Sequence, residues 1–188
     1  MAAPPGPAAP PPAGFEFPPF HAYPPYFTLQ PVRETRERQG SLWCGLILGY
    51  CAATRTSVLR TDERDPGPLF GNAAIGRALL PEARAAFLGE LVAAGRAEWL
   101  DKGRTACLVL WRSVEEWARL ILELVRTYGL GQAVMSVEEL SSGDDVAGTE
   151  LAGADVRVLR RALKLLEGQG KCRLFSGATP EEEGVKFL

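Results

Sequence analysis

Residues 41–50 read SLWCGLILGY and residues 115–124 read EEWARLILEL, and these two stretches decide the fold. In each, a tryptophan is followed by aliphatic or aromatic side chains at i+3, i+4 and i+7, which is the spacing of one buried helical face. The first set is Trp43, Leu46, Ile47 and Tyr50, and the second set is Trp117, Leu120, Ile121 and Leu124. A single offset, the one from Trp43 to Trp117, relates every member of the two sets. The shared spacing predicts two related helices, each belonging to one copy of a repeated unit.

A second pair of matching stretches lies further along each copy. Leu88, Leu91, Gly95 and Leu100 have the spacing of Leu163, Leu166, Gly170 and Phe175, and the offset is only one position longer than that of the first pair. Pro81 suits the first turn of a helix, and Gly95 suits the position just beyond its end. Turn residues at 101–103 then separate two short strand-like runs, which predicts a hairpin. Each copy reads as three helices and a hairpin, the winged-helix variant of helix-turn-helix.

The sequence therefore predicts an α+β (mainly α) fold, with two tandem winged-helix domains preceded by an extended Pro/aromatic N-terminal arm. In the first copy we predict helices over 32–53, over 68–79 and from Pro81, and strands over 97–100 and 105–111. In the second copy we predict a strand at 134–137 leading into a brief helix, a polar loop at 141–153, and a hairpin at 172–176 and 185–188. An acidic loop containing Glu181, Glu182 and Glu183 separates its two strands. The domain boundaries are 1–14 for an Ala/Pro leader, 15–31 for the arm, 32–112 for winged helix 1 and 113–188 for winged helix 2.

Composition and residue counts argue against several classes of function. The formal net charge is −2, whereas obligate nucleic-acid binders are usually strongly basic. The single histidine, His21, lies in the arm, and the four cysteines form no CxxC pair. Phosphate-binding motifs of the GxxxxGK[ST] and GxGxxG types are also missing. We therefore predict a soluble cytoplasmic protein that is not an enzyme, has reduced cysteines, and needs no metal and no cofactor.

The proline-rich N-terminus divides into two parts. Most of the chain's prolines lie between Met1 and Pro31. After Met1, residues 1–14 contain only Ala, Pro and Gly, which predicts disorder. Residues 15–31, FEFPPFHAYPPYFTLQP, instead carry two Pro-Pro pairs flanked by aromatics, which favours extended geometry at both pairs. Two interpretations remain: the arm docks on a partner protein, or it packs on its own domain.

A basic helical face in the second copy raises the alternative of DNA binding. Arg157, Arg160, Arg161 and Lys164 lie opposite an apolar stripe on the predicted third helix. In a winged-helix DNA-binding transcription factor such a helix would contact the major groove and its phosphates. A solvated helical face, or a contact with lipid or protein, would have the same pattern, and acidic residues lie nearby in sequence.

An ordered set of short motifs extends over residues 15–188. These are YPPYFTLQP (23–31), Trp43-Cys44, PLF (68–70), EWLDK (98–102), LWR (110–112), EEW (115–117) and GVKFL (184–188). Their combination resembles the small tandem winged-helix subunit of the ESCRT-II endosomal sorting complex, the vacuolar-protein-sorting 25 family. The chain departs from that family in its long Ala-Pro leader and in the upstream position of its Phe17–Phe20 element.

The resemblance implies a role in protein sorting. Two copies of such a subunit join two larger winged-helix subunits, and the first ESCRT-III subunit is recruited through the second winged helix. By motif match, the residues that dock on the larger subunits would be Pro24, Pro25, Tyr26 and Phe27, with Pro18, Pro19 and Phe20 as a second anchor. For the ESCRT-III contact we nominate Met135, Ser136, Glu138 and Glu139. The implied location is peripheral to the endosome membrane, where ubiquitinated cargo is sorted into multivesicular bodies, and no specific nucleic acid is expected.

Overall fold

The chain divides into two compact units, which are called unit 1 and unit 2 below. The computed structural model describes residues 14–176 and 183–188. Unit 1 ends at Trp111 and unit 2 begins at Arg112, one residue before the predicted boundary. The leader, except Gly14, and Glu181 and Glu182 of the acidic loop lie outside the described residues.

The described part of unit 1, residues 14–111, contains a three-stranded antiparallel sheet and three α-helices. Its elements in chain order are two 3₁₀ helices (Pro19–Ala22 and Pro24–Phe27), α1 (Arg33–Thr54), β1 (Val58–Arg60), α2 (Gly67–Phe70), β2 (Gly71–Asn72), a 3₁₀ turn (Ala73–Ile75), β3 (Arg77–Ala78), α3 (Pro81–Ala93), β4 (Ala97–Trp99) and β5 (Ala106–Val109). The main sheet has the order β1-β5-β4, and β2 pairs with β3 in a separate small hairpin. Cys107 lies between Leu59 on one neighbouring strand and Trp99 on the other.

Unit 2 repeats this arrangement. Its elements are α4 (Val114–Thr127), β6 (Val134–Ser136), α5 (Glu139–Ser142), a 3₁₀ turn (Asp144–Val146), α6 (Val156–Gly168), β7 (Cys172–Phe175) and β8 (Gly184–Phe187). The sheet order β6-β8-β7 matches β1-β5-β4, because in both units the last strand lies in the middle. Helices α3 and α6 have equal length, and their first and last residues are related by the offset from Leu88 to Leu163 that the sequence predicts.

The predicted helical faces form the core of each unit. Trp43, Leu46 and Ile47 of α1 and Trp117, Ile121 and Leu124 of α4 are all buried. Helix α3 begins at Pro81, and Gly95 follows its end with φ +68°, a left-handed conformation that glycine adopts without steric penalty. Helix α4 begins with a reciprocal capping box between Ser113 and Glu116.

The structure differs from the sequence prediction at three places. The helix predicted for 68–79 ends at Phe70, because a hairpin follows and Gly76 adopts a left-handed φ of +60° between its strands. Strand β1 was missed, since only three residues pair with β5. The loop predicted for 141–153 contains a 3₁₀ turn, and Val146 and Leu151 within it are buried in unit 2.

Candidate protein-interaction sites

The arm, residues 15–31, is folded onto unit 1. Pro18 has the extended dihedral angles that the sequence predicts, whereas Pro19, Pro24 and Pro25 lie in 3₁₀ helices, contrary to that prediction. The two 3₁₀ helices each begin with proline, and amide N–H groups donate three residues back, for example from His21 to Pro18 and from Thr28 to Pro25. A proline φ near −65° suits a 3₁₀ helix as well as an extended chain, so the Pro-Pro pairs did not distinguish the two.

The side of the arm that faces α1, called its inner face below, packs on Trp43. The ring of Phe27 meets the indole edge-to-face, with ring centroids 5.4 Å apart, and the Phe20 ring lies 5.5 Å from the same indole. Phe27 is only 4% exposed and belongs to the core of unit 1. Its side chain therefore offers little surface in this conformation, and its role in contacting a partner stays a prediction. For the inner face, the interpretation that the arm packs on its own domain is confirmed.

His21 is a second inner-face anchor. Its imidazole is buried, stacks on Phe17 with centroids 4.3 Å apart, and has Nε2 3.1 Å from the carbonyl oxygen of Leu69. The His21 carbonyl in turn accepts a hydrogen bond from Asn72. Burial lowers the pKa of His21 below its ordinary value, and the backbone hydrogen bond only partly opposes that effect. The ring is therefore held neutral near pH 7.

The outer face of the arm, defined as Pro19, Phe20, Tyr23, Pro25 and Tyr26, presents aromatic surface to solvent. Tyr26 lies 5.2 Å from Phe20 and 6.0 Å from Tyr23, measured between ring centroids. Tyr23 is 58% exposed, Pro19 and Pro25 are exposed, and Phe20 and Tyr26 are half-buried. Pro18 and Pro24, also nominated from sequence, are half-buried beside this face. Such a preformed aromatic and proline surface is suited to binding another protein.

The second predicted site lies at an edge strand of unit 2. Ser136 and Glu139 bind each other, because each backbone N–H donates to the other residue's side chain. Met135 is half-buried and pairs with Val185 of β8, whereas the Glu138 side chain is exposed. Ser136 and Glu139 therefore have a local structural role, and Glu138 is the freest of the four nominated side chains.

Two exposed apolar side chains lie close to these residues. Val134 of β6 and Phe175 of β7 are both exposed, and they line a shallow depression with Met135 and Gly184. Phe175 pairs with Gly184 across the hairpin, and its ring covers that glycine. This surface supplies the apolar area that the nominated polar residues lack.

The basic face of α6 is largely paired with local acceptors. Arg157 forms an ion pair with Asp155 at 3.0 Å, and Arg160 forms one with Glu183 at 2.6 Å. Arg161 donates to the carbonyl of Arg157, and Lys164 is exposed. These ion pairs compete with phosphate for the same guanidinium groups, so they favour a solvated structural face over a DNA contact.

Three further features of the described residues bear on possible sites: the cysteines, clusters of metal-ligating side chains, and helices that could span a membrane. All four cysteines are free, and burial raises the pKa of Cys44 and Cys51 to about 12 and that of Cys107 and Cys172 to about 11. Within residues 14–176 and 183–188, no cluster of three metal-ligating side chains occurs, and no helix has the length and hydropathy of a membrane span.

Sequence reasoning missed two residues at the arm. Tyr23 is its most exposed aromatic, although the motif match assigned no role to it. Gln39 on α1 is buried beneath the arm and hydrogen-bonds to its backbone. A single polar residue four positions before Trp43, on the same helical face, was the available signal for Gln39.

Comparison with known proteins identifies the family. The model of the ESCRT-II complex subunit family matches residues 16–155. The chain is 53% identical over 175 residues to vacuolar protein sorting-associated protein 25 of Arabidopsis thaliana, which covers 93% of this chain and 97% of that relative. The protein of the same name in Homo sapiens is 37% identical over 174 residues, which covers 93% and 98%.

Solved structures share the fold. The VPS25 subunit of the endosomal trafficking complex ESCRT-II matches with a TM-score of 0.79 and 24% identity, covering 91% of this chain and 98% of that chain. A chain of the endosomal ESCRT-II complex of VPS22, VPS25 and VPS36 matches with a TM-score of 0.77, 25% identity and the same coverage. The two winged-helix units, the arm and these similarities agree, and the chain belongs to the ESCRT-II complex subunit family.

Proposed function

We propose that this chain is a non-catalytic subunit of an ESCRT-II complex that docks on the larger winged-helix subunits through the outer face of its arm. The observation that carries the proposal is the exposed ring of Tyr23, with the half-buried rings of Phe20 and Tyr26 beside it, on an arm that is already folded. Pro18, Pro19, Pro24 and Pro25 frame that surface. Phe27 holds the arm in place from below.

The family supports the identity of the partners. A solved complex of this family contains VPS22 and VPS36 together with VPS25. We assign the corresponding larger subunits as partners of this chain, with two copies of this chain in each complex. The assembly would act in the cytoplasm and peripherally on the endosome membrane, where it sorts ubiquitinated cargo into multivesicular bodies.

We assign recruitment of the first ESCRT-III subunit to unit 2. The supporting surface is the depression lined by Val134, Met135 and Phe175 together with Glu139 and Glu183, and the exposed side chain of Glu138 directly precedes Glu139 in the chain. Apolar area next to a carboxylate suits a partner segment with both apolar and basic side chains.

Docking through the arm is tested by replacing Tyr23 and Tyr26 with alanine in the full chain. The hydrogen bonds that the Gln39 and Trp43 side chains donate to the Tyr26 carbonyl remain, so thermal unfolding should change little. Truncation of aromatic anchors at an interface commonly costs about 2 kcal/mol or more, so affinity for the larger subunits should fall at least about 30-fold. Tyr128→Ala is the matched control, because Tyr128 is an exposed tyrosine in unit 2. Normal co-purification of the double variant would exclude the outer face as the docking site.

Recruitment through unit 2 is tested by Val134→Asp with Glu138→Lys. Both side chains are exposed, so assembly with the larger subunits should persist while binding to the first ESCRT-III subunit weakens about tenfold or more. Glu123→Lys, an exposed charge reversal on α4, is the control. Unchanged ESCRT-III binding by the double variant would place that contact elsewhere.

A further inference from the structure

Gln39 is an unusual residue for the interior of unit 1. It lies in the second turn of α1 and is only 1% exposed. A primary amide is rarely buried to this extent, because removing it from water is unfavourable unless its donors and acceptor are all hydrogen-bonded. The partners of this amide therefore indicate why it is there.

All three hydrogen bonds described for the Gln39 side chain end on the arm. Its Nε2 donates to the carbonyl oxygens of Tyr26 and Thr28, each at 2.9 Å, and its Oε1 accepts from the backbone N–H of Gln30 at 3.2 Å. The side chain thus contacts residues 26, 28 and 30. Alternate residues of an extended segment present their backbone groups to the same side, and Thr28 has extended dihedral angles. Gln39 pairs with this part of the arm as a neighbouring strand would.

Trp43, one helical turn later, reinforces the same point. Its indole Nε1 donates to the Tyr26 carbonyl at 2.9 Å, so that oxygen accepts two hydrogen bonds from α1. The Tyr26 ring extends from the same residue to the outer face, where it contacts Phe20 and Tyr23. Fixing the Tyr26 backbone from below therefore fixes the position of the aromatic group at the centre of that face.

We propose that Gln39 is a positioning residue for partner binding, holding the arm in its folded conformation before the larger subunits arrive. This inference rests on the proposed docking function of the arm. A flexible arm loses conformational entropy when it binds, whereas an arm already fixed by Gln39 has lost much of that entropy during folding. Gln39 thereby raises affinity without touching the partner.

The test is Gln39→Met, which preserves side-chain length and apolar volume but removes both donors and the strong acceptor. Gln169→Met, the same change at an exposed site in unit 2, is the matched control. Backbone amide hydrogen exchange is measured in both full-length variants, and affinity for the purified larger ESCRT-II subunits is measured in parallel. In Gln39→Met we expect exchange at Thr28 and Gln30 to accelerate at least tenfold, with unchanged exchange in α3. Affinity should fall about tenfold, equivalent to about 1.4 kcal/mol.

Two outcomes would overturn the proposal. If α3 loses protection together with the arm, or the protein unfolds, Gln39 is an ordinary core residue. If the arm becomes mobile and the affinity is unchanged, while Tyr23→Ala with Tyr26→Ala still weakens binding, the arm docks without being positioned by Gln39. Failure of the tyrosine variant to weaken binding would contradict the docking function itself, and the exchange data would still show whether Gln39 holds the arm.

Discussion

Trp43 and Trp117 occupy equivalent positions in the two units, but their surroundings differ. Both are buried, and each lies in the first α-helix of its unit. The Trp43 indole packs under Phe20, His21 and Phe27 of the arm. Over the Trp117 ring lies instead the guanidinium of Arg112, 5.3 Å from the ring centroid, supplied by the residue where unit 2 begins. The same scaffold thus carries an added aromatic segment in unit 1 only.

The first turns of α1 and α4 also differ, because only the first turn of α1 is bound to the arm. Helix α4 has its own capping box, in which Ser113 and Glu116 satisfy each other's backbone N–H groups. Helix α1 starts after Val32, which provides no side-chain cap, and Arg36 and Gln39 in its first two turns bind the arm. Unit 2 therefore specifies the start of its first helix locally, while unit 1 ties that region to residues 26–30. We infer that the arm contributes to the stability of unit 1 as well as to its binding surface.

The largest effect expected from this difference is that of Phe27→Ala. Removing a phenylalanine from a well-packed core typically destabilises a domain by about 3–5 kcal/mol, because transfer energy is lost and a cavity remains. Tyr23→Ala, on the opposite face of the same arm, should change the free energy of unfolding by less than about 0.5 kcal/mol. Urea unfolding followed by tryptophan fluorescence measures both variants. Equal effects for the two would show that the arm has no inner face in solution.

A smaller effect is expected at the helix starts. Ser113→Ala removes the side-chain acceptor of the capping box and should destabilise unit 2 by about 1 kcal/mol. Val32→Ala, at the equivalent cap position of α1, should have almost no effect, since its side chain is exposed and caps nothing. Amide exchange in the first turns of α4 and α1 reports each unit separately. A stability loss in Val32→Ala as large as that in Ser113→Ala would contradict the distinction between local and arm-dependent starts.

The repeated scaffold was predictable from the sequence because its signals are local and periodic. The apolar stripes that begin at Trp43 and Trp117 each indicate the buried face of a helix, and the glycines after α3 and α6 each indicate the end of a helix. The nearly equal offsets of these two pairs of signals then linked the copies. The elements that the sequence did not predict are short. Strand β1 has only three residues, too few to show a periodic pattern, and the hairpin after Phe70 depends on the turn at Gly76.

The conformation of the arm could not be predicted, because it depends on contacts made far along the chain. Its residues form an aromatic and proline pattern that is compatible with docking on a partner and with packing on unit 1. The choice is made by Trp43 and Gln39 of α1 and by the Leu69 carbonyl, which is distant in sequence from the His21 ring that it contacts. The sequence therefore nominates a segment as the candidate site, but it does not separate the inner and outer faces of that segment. The motif match grouped Phe27 with the docking residues for that reason, although its side chain packs in the core of unit 1.

The smallest effect concerns pH and applies to unit 1 alone, since His21 is the only histidine of the chain. Burial lowers its pKa in the folded protein below the ordinary 6.5, so below pH 6.5 the unfolded chain binds a proton that the folded arm does not. Stability is therefore fully present above pH 6.5 and falls as pH decreases from 6.5 toward the lower folded pKa. Burial raises the pKa of Glu90, which has the opposite effect on stability, so the contribution of the histidine is the part of the pH dependence that a His21 variant removes. The free energy of unfolding of unit 1, measured with urea, should decrease as the pH falls below 6.5. His21→Gln, which retains a donor for the Leu69 carbonyl, should remove this decrease. An NMR titration that places the His21 pKa at or above 6.5 would show that the ring is solvated and that the inner face of the arm opens in solution.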